Sequence, residues 1–119
     1  MFDFFTSFRL IAAFLIGFIV DEDFRSGDEQ IKRIVDGMID AIVSMGGQEH
    51  HDRYGCTVIL EGDNTRIEAM IDCYVMDMAW VKITLTDDDN TEELLICYTV
   101  FDDGDIQATI SYNDADIVA

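Results

Sequence analysis

Residues 54–72 read YGCTVILEGDNTRIEAMID, and this stretch decides the fold. Behind the punctuation Gly62-Asp63-Asn64, the residues Ile67, Ala69 and Ile71 alternate with Arg66, Glu68 and Met70. An apolar period of two marks strands, so Tyr54 to Glu61 and Thr65 to Asp72 form a β-hairpin. The same period continues downstream. Ala79, Val81, Ile83 and Leu85 alternate with Trp80, Lys82 and Thr84 over Met78 to Thr86. An acidic loop, Asp87 to Thr91, leads into a strand over Glu92 to Phe101, and Asp103-Gly104 turns it into Asp105 to Tyr112. The connection Cys73 to Asp77 has no Gly or Pro. It is read either as an irregular turn at about Tyr74 to Asp77 or as one long bent strand with a bulge. The chain has no proline, so its turns fall to Asp, Asn and Gly. Residues 113–119 are read as a tail.

Upstream of this sheet the period is helical. Ile31, Ile34, Val35, Met38, Ile42 and Met45 follow i, i+3, i+4, i+7 spacing, with Lys32, Arg33, Asp36 and Asp40 on the other face. The spacing predicts an amphipathic helix over 27–45. Ser26-Gly27-Asp28-Glu29 reads as a capping box at its start and Gly46-Gly47 as its stop. Asp28 with Lys32 and Glu29 with Arg33 are acid-before-base pairs at i, i+4. Before it, Leu10 to Val20 is continuously apolar, and a helix over about 4–20 with Asp3 as N-cap is hydrophobic nearly all round. Asp3 ahead of Arg9, and Asp21, Glu22 and Asp23 behind the run, do not suit a secretory signal, and the run is shorter than the roughly 20 apolar residues a spanning helix needs. It is read as a core or interface helix, and a membrane partner is not expected.

The expected fold is therefore one α+β domain over 1–119: an N-terminal helical hairpin packed on one face of a four- or five-stranded antiparallel meander spanning 54–112. A chain of 119 residues, half of them apolar, can bury a core without metal or disulfide staples. Three cysteines, Cys56, Cys73 and Cys97, cannot all pair within one chain and read as thiols of a reducing cytosol.

Chemistry-bearing motifs are sparse. Glu49-His50-His51-Asp52 followed by Cys56 holds both histidines of the chain. Adjacent histidines in an extended segment point opposite ways and no second ligand pair completes a zinc set, so the segment is read as an exposed polar loop. Asp87-Asp88-Asp89-Asn90-Thr91-Glu92-Glu93 is dense in oxygen donors but lacks the glycine and flanking helices of a calcium loop. There is no nucleophile elbow, glycine-rich phosphate loop or basic stripe. No cofactor, no metal and no enzymatic activity are expected.

Charge is the remaining signal. The chain holds 25 acids against 7 bases, a formal charge of -18, and no base follows Lys82. That exceeds the roughly 2 to 8 charges solubility asks of a small domain, and it repels nucleic acid and anionic membrane while attracting cationic partners. Acids at i and i+2 of a strand stand about 6.6 Å apart on one face, of the order of phosphate spacing. The leading expectation is a cytoplasmic inhibitor that mimics a polyanion and docks into the basic channel of a nuclease or other nucleic-acid-binding protein. Its acidic partner site would be Asp87, Asp88, Asp89, Glu92, Glu93, Asp102, Asp103 and Asp105. Phage anti-defence inhibitors, anti-CRISPR and anti-restriction proteins among them, and nuclease immunity proteins supply an analogy of size and charge. The alternative is an acidic homodimeric chaperone-like module that holds a protein client on Met70, Tyr74, Met76, Met78 and Trp80.

Overall fold

The computed structural model describes residues 10, 12–17, 19, 27–52, 55–62, 64–73, 78–88, 90–113 and 115–118, with backbone alone for 51, 52, 71–73 and 116–118. The period-two segments become one antiparallel sheet in which each strand pairs with its neighbours in sequence. Its strands are β1 (Gln48–Asp52), β2 (Gly55–Gly62), β3 (Thr65–Cys73), β4 (Met78–Asp87), β5 (Asn90–Val100), β6 (Ile106–Tyr112) and β7 (Ala115–Val118). The α+β meander stands, but with seven strands among the described residues, not four or five. Both additional strands are edges. Gln48–Asp52 is a strand paired to β2 and not a polar loop, and Ala115–Val118 pairs with β6 instead of forming a tail. An edge strand is held by ladder hydrogen bonds and needs no apolar alternation, so QEHHD carried no strand signal. β3 and β4 run antiparallel from Thr65 opposite Leu85 to Met70 opposite Trp80, which rules out one continuous strand. The connection itself, 74–77, lies outside the described residues.

The proline-free turns use the residues expected of them. Asn64, Asp88 and Asn113 take positive φ of 56°, 35° and 50°, a conformation that Asn and Asp tolerate better than other side chains. In the β5–β6 turn, Gly104 N donates to Phe101 O at 2.9 Å and Phe101 N to Asp105 O at 2.8 Å.

The amphipathic segment forms a helix over Asp28–Ser44 that buries Ile31, Val35 and Ile42. Its end follows the double-glycine signal: Gly46 N donates to Val43 O at 3.1 Å and Gly47 N to Ile42 O at 3.0 Å, with Gly46 at φ +85°. Its start differs from the expected capping box. The N-cap is Gly27 with no side-chain cap, and Ser26 lies outside the described residues. Asp28 Oδ1 instead accepts Ala108 N from β6 at 3.2 Å. Among the described residues β7 pairs with Ile110 to Tyr112 and no strand lies beside Ala108 on that side, so this carboxylate takes up the Ala108 amide there. Lys32 accordingly pairs forward, with Asp36 Oδ2 at 2.8 Å, and not back with Asp28.

Upstream, the described residues of the first apolar run, Leu10, 12–17 and Ile19, are helical. We call this helix α1 and Asp28–Ser44 α2. α1 buries Ala12, Ile16 and Ile19 while Leu10 is 61 % and Phe14 70 % exposed, so among the described residues its buried side chains lie on one side. The link between the helices, 20–26, lies outside the described residues, and the expected hairpin geometry lies there with it.

Both helices join one core cluster with a single face of the sheet. Strand register lays that face out in rows. Val58, Ala69, Val81, Ile96 and Ile110 cross five strands side by side, each almost fully buried. Beside them, Ala79, Tyr98 and Ala108 form a row whose alanines flank the phenol. There α2 docks: Tyr98 Oη donates to Asp36 Oδ1 at 2.7 Å, and Lys32 Nζ lies 5.2 Å above the Tyr98 ring. Asp36 is partly exposed, so this clamp adds about 1 kcal/mol to a helix held mainly by apolar burial.

Candidate interaction surfaces

In a sheet of consecutive antiparallel strands, successive turns fall at alternate ends. That parity splits the expected acidic site. Asp87, Asp88, Glu92 and Glu93 stand at the β4–β5 end, whereas Asp102, Asp103 and Asp105 occupy the β5–β6 turn at the opposite end. Asp89 lies outside the described residues. β5 between the two ends has 11 residues, about 35 Å at the usual strand rise. The acids form two sites, not one.

Individual side chains at the first end differ in role. Asp87 and Asp88 are exposed. The Glu92 carboxylate accepts the Tyr112 hydroxyl, joining β5 to β6. Glu93 Oε2 lies 3.7 Å from Lys82 Nζ, and Glu93 N donates to Asn113 Oδ1 at 2.9 Å. Glu61 was missing from the expected site, yet β2 ends where β4 does. Its carboxylate lies 3.0 Å from Arg66 Nη1, and Arg66 Nε lies 3.6 Å from Glu68 Oε1. Thus Arg66 and Lys82 are already held by acids. These exposed pairs stabilise weakly, but they leave the end anionic. In the β5–β6 turn, Asp103 Oδ1 accepts Asp105 N at 3.0 Å, so one of the three acids there also shapes its turn.

The second candidate surface is the sheet face opposite the helices. Met70, Met78 and Trp80 all lie on it, partly exposed, while Tyr74 and Met76 lie outside the described residues. Register adds residues the sequence reading did not include. Trp80 sits between Met70 on β3 and Cys97 on β5, and Lys82 is opposite Leu95. Met78, Trp80, Lys82, Leu95 and Cys97 line a shallow hollow of about 270 Å³. Cys97 Sγ and Thr109 Oγ1 approach to 2.9 Å across β5 and β6. The crosswise row Thr57, Met70, Trp80, Cys97, Thr109 has no formal charge. Leu95 and Cys97 could have been found by alternation, since they occupy the phase of β5 opposite the buried Leu94, Ile96 and Tyr98.

Among the described side chains, the histidine segment does not gather ligands. His50 is exposed on β1 opposite Thr57, while Cys56 is 4 % exposed and turned into the core. Among the described residues no three His, Cys, Asp or Glu side chains come close enough to hold a metal ion. A small hollow of about 70 Å³ lies between Leu15 of α1, Met38, Ala41, Ile42 and Met45 of α2, and the sheet. It is far below the size of a cofactor site. No helix among the described residues is long and apolar enough to cross a membrane. Comparison with protein families, curated proteins and solved structures finds nothing that matches this chain.

A chain of formal charge -18, in which Lys32, Arg66 and Lys82 already sit beside acids, repels itself, and salt screens that repulsion. Raising NaCl from 20 to 500 mM is expected to raise the melting temperature by about 5 °C, equivalent to roughly 1 kcal/mol. Circular dichroism melts at the two ionic strengths check this. A fall in melting temperature would show that attractive ion pairs outweigh the net repulsion.

Proposed function

We infer that this chain is an acidic binding protein that imitates a polyanion and blocks the basic surface of a nuclease or other nucleic-acid-binding protein in the cytoplasm. The observation that supports this reading is the state of the β4–β5 end. Asp87 and Asp88 project there unburied, and the described bases nearest in register, Arg66 and Lys82, already lie beside Glu61, Glu68 and Glu93. The anionic field is therefore directed outward, where a cationic channel is its complement. Phage anti-defence inhibitors and nuclease immunity proteins remain the functional analogy. A second reading, a homodimeric chaperone-like module holding a client, draws support from the open placement of Met70, Met78 and Trp80 opposite the helices.

Binding to a panel of basic nucleases at 50 and 500 mM NaCl tests the first reading. Affinity is expected to fall at least about tenfold at the higher salt, and similarly in Asp87→Lys/Asp88→Lys or in Asp102→Lys/Asp105→Lys, depending on which end docks. The two ends stand a strand length apart, so only one pair is expected to dominate for a compact target. Binding indifferent to salt and to both charge reversals would overturn the reading.

A further inference from the structure

We propose that the uncharged band on the open sheet face, bounded by acids at both strand ends, receives a cationic amphipathic segment of a protein partner. This rests on the reading above that the target is basic, and adds the shape of what it presents. Three observations define the occupant. First, Met78, Trp80, Leu95 and Cys97 line a shallow central hollow together with Lys82, whose charge is held by Glu93, and Met70 stands opposite Trp80 on the same face, which neither α1 nor α2 covers. Soft Met and Trp side chains in such a centre suit apolar anchors without demanding one fixed shape. Second, strand parity puts Asp87, Asp88 and Glu93 beyond one end of this centre and Asp102, Asp103 and Asp105 beyond the other. Third, the intervening length, about 35 Å along β5, matches an amphipathic helix of about 20 residues.

Charge selects among occupants. A second copy of this chain would set acidic ends against acidic ends at -18 each, with no free cationic patch among the described residues to meet them. A segment with an apolar stripe and Lys or Arg toward both termini satisfies the centre and both ends together. Polyanion mimicry alone needs no apolar stripe in the partner, and this is where the two ideas part.

The test uses the full chain and its single tryptophan, Trp80, as reporter. The probe is a tryptophan-free Lys/Leu peptide of about 20 residues with leucines at helical i, i+3, i+4 spacing and lysines toward both ends. Its controls are a same-composition peptide without a stripe, and polylysine of equal charge. The striped peptide is expected to shift Trp80 emission to the blue and to bind at least about tenfold more tightly than either control. Leu95→Lys, checked for folding by circular dichroism, is expected to abolish that preference while leaving polylysine binding in place. Asp102→Asn/Asp103→Asn/Asp105→Asn is expected to weaken the striped peptide several-fold with the sheet intact. Equal affinity for all three probes with unchanged Trp80 emission would overturn the proposal and leave polyanion mimicry standing. No binding of any cationic probe would overturn both. A dimer in sedimentation that dissociates on Leu95→Lys would overturn it in favour of a second copy.

Discussion

Truncating Ile96 to Ala is expected to cost the fold about 3 kcal/mol and lower its melting temperature by about 10 °C. Ile96 is 1 % exposed at the middle of β5 and stands in the row Val58, Ala69, Val81, Ile96, Ile110 beneath the helices. Val81 and Ile110, its neighbours on either side, are each also 1 % exposed. Those neighbours are fixed by backbone ladders on both sides, so they cannot move in to fill the lost volume. The cost is then the transfer free energy of the removed carbons plus the cavity they leave. Ala69, already small in the same row, offers no compensating bulk. Denaturant unfolding measures the loss: the midpoint should shift with an unchanged slope. A loss below about 1 kcal/mol would mean that the two layers close over the gap and that the central row is not tightly packed.

Gly47→Ala should destabilise by about 2 kcal/mol, while Gly37→Ala in the helix just before it should stabilise by about 0.5 to 1 kcal/mol. A Cβ on Gly47 would lie 2.5 Å from Val58 Cγ1, 2.8 Å from Ile42 Cγ2 and 3.0 Å from Ile42 O. Val58 is in the central row and Ile42 is buried, so neither side chain has room to yield. The chain must pass this close because β1 begins one residue later, at Gln48, and pairs with β2. Gly37 is the contrast. A Cβ there meets nothing within 4 Å, and alanine adds only helix propensity and a stiffer unfolded chain. Parallel thermal melts of the two variants separate close packing from intrinsic propensity. Equal responses would show that the contact across Gly47 relaxes on substitution.

The helix Asp28–Ser44 and strands β2 to β6 were legible because periodicity records which side chains face a core. Ile31, Val35 and Ile42 kept helical spacing, and Val81, Ile83 and Leu85 kept strand alternation. β1 and β7 were not legible for the converse reason: on an edge, ladder hydrogen bonds recruit backbone whatever its side chains. The cap at Asp28 was missed since its carboxylate serves Ala108, 80 residues away, and no local pattern encodes that distance. The sequence reading placed the acids in one site, although their division into two follows from its own meander. Once 87–91 and 103–104 are consecutive hairpin turns of one meander, they must lie at opposite ends. Glu61 follows from the same parity, because the β2–β3 turn falls at the end where β4 meets β5.

By itself the sequence determined the α+β class, the amphipathic helix with its double-glycine stop, the turn chemistry without proline, and the anionic field. Each is a local or compositional property, set by side-chain period, backbone preference or charge count. Tertiary structure decided what sits beside what. Register put Leu95 and Cys97 next to Trp80, held Arg66 and Lys82 against acids, and placed both helices over one face so that the Met and Trp band remained on the other. Those relations depend on contacts between residues distant in the chain, and such contacts leave no periodic trace in any single segment.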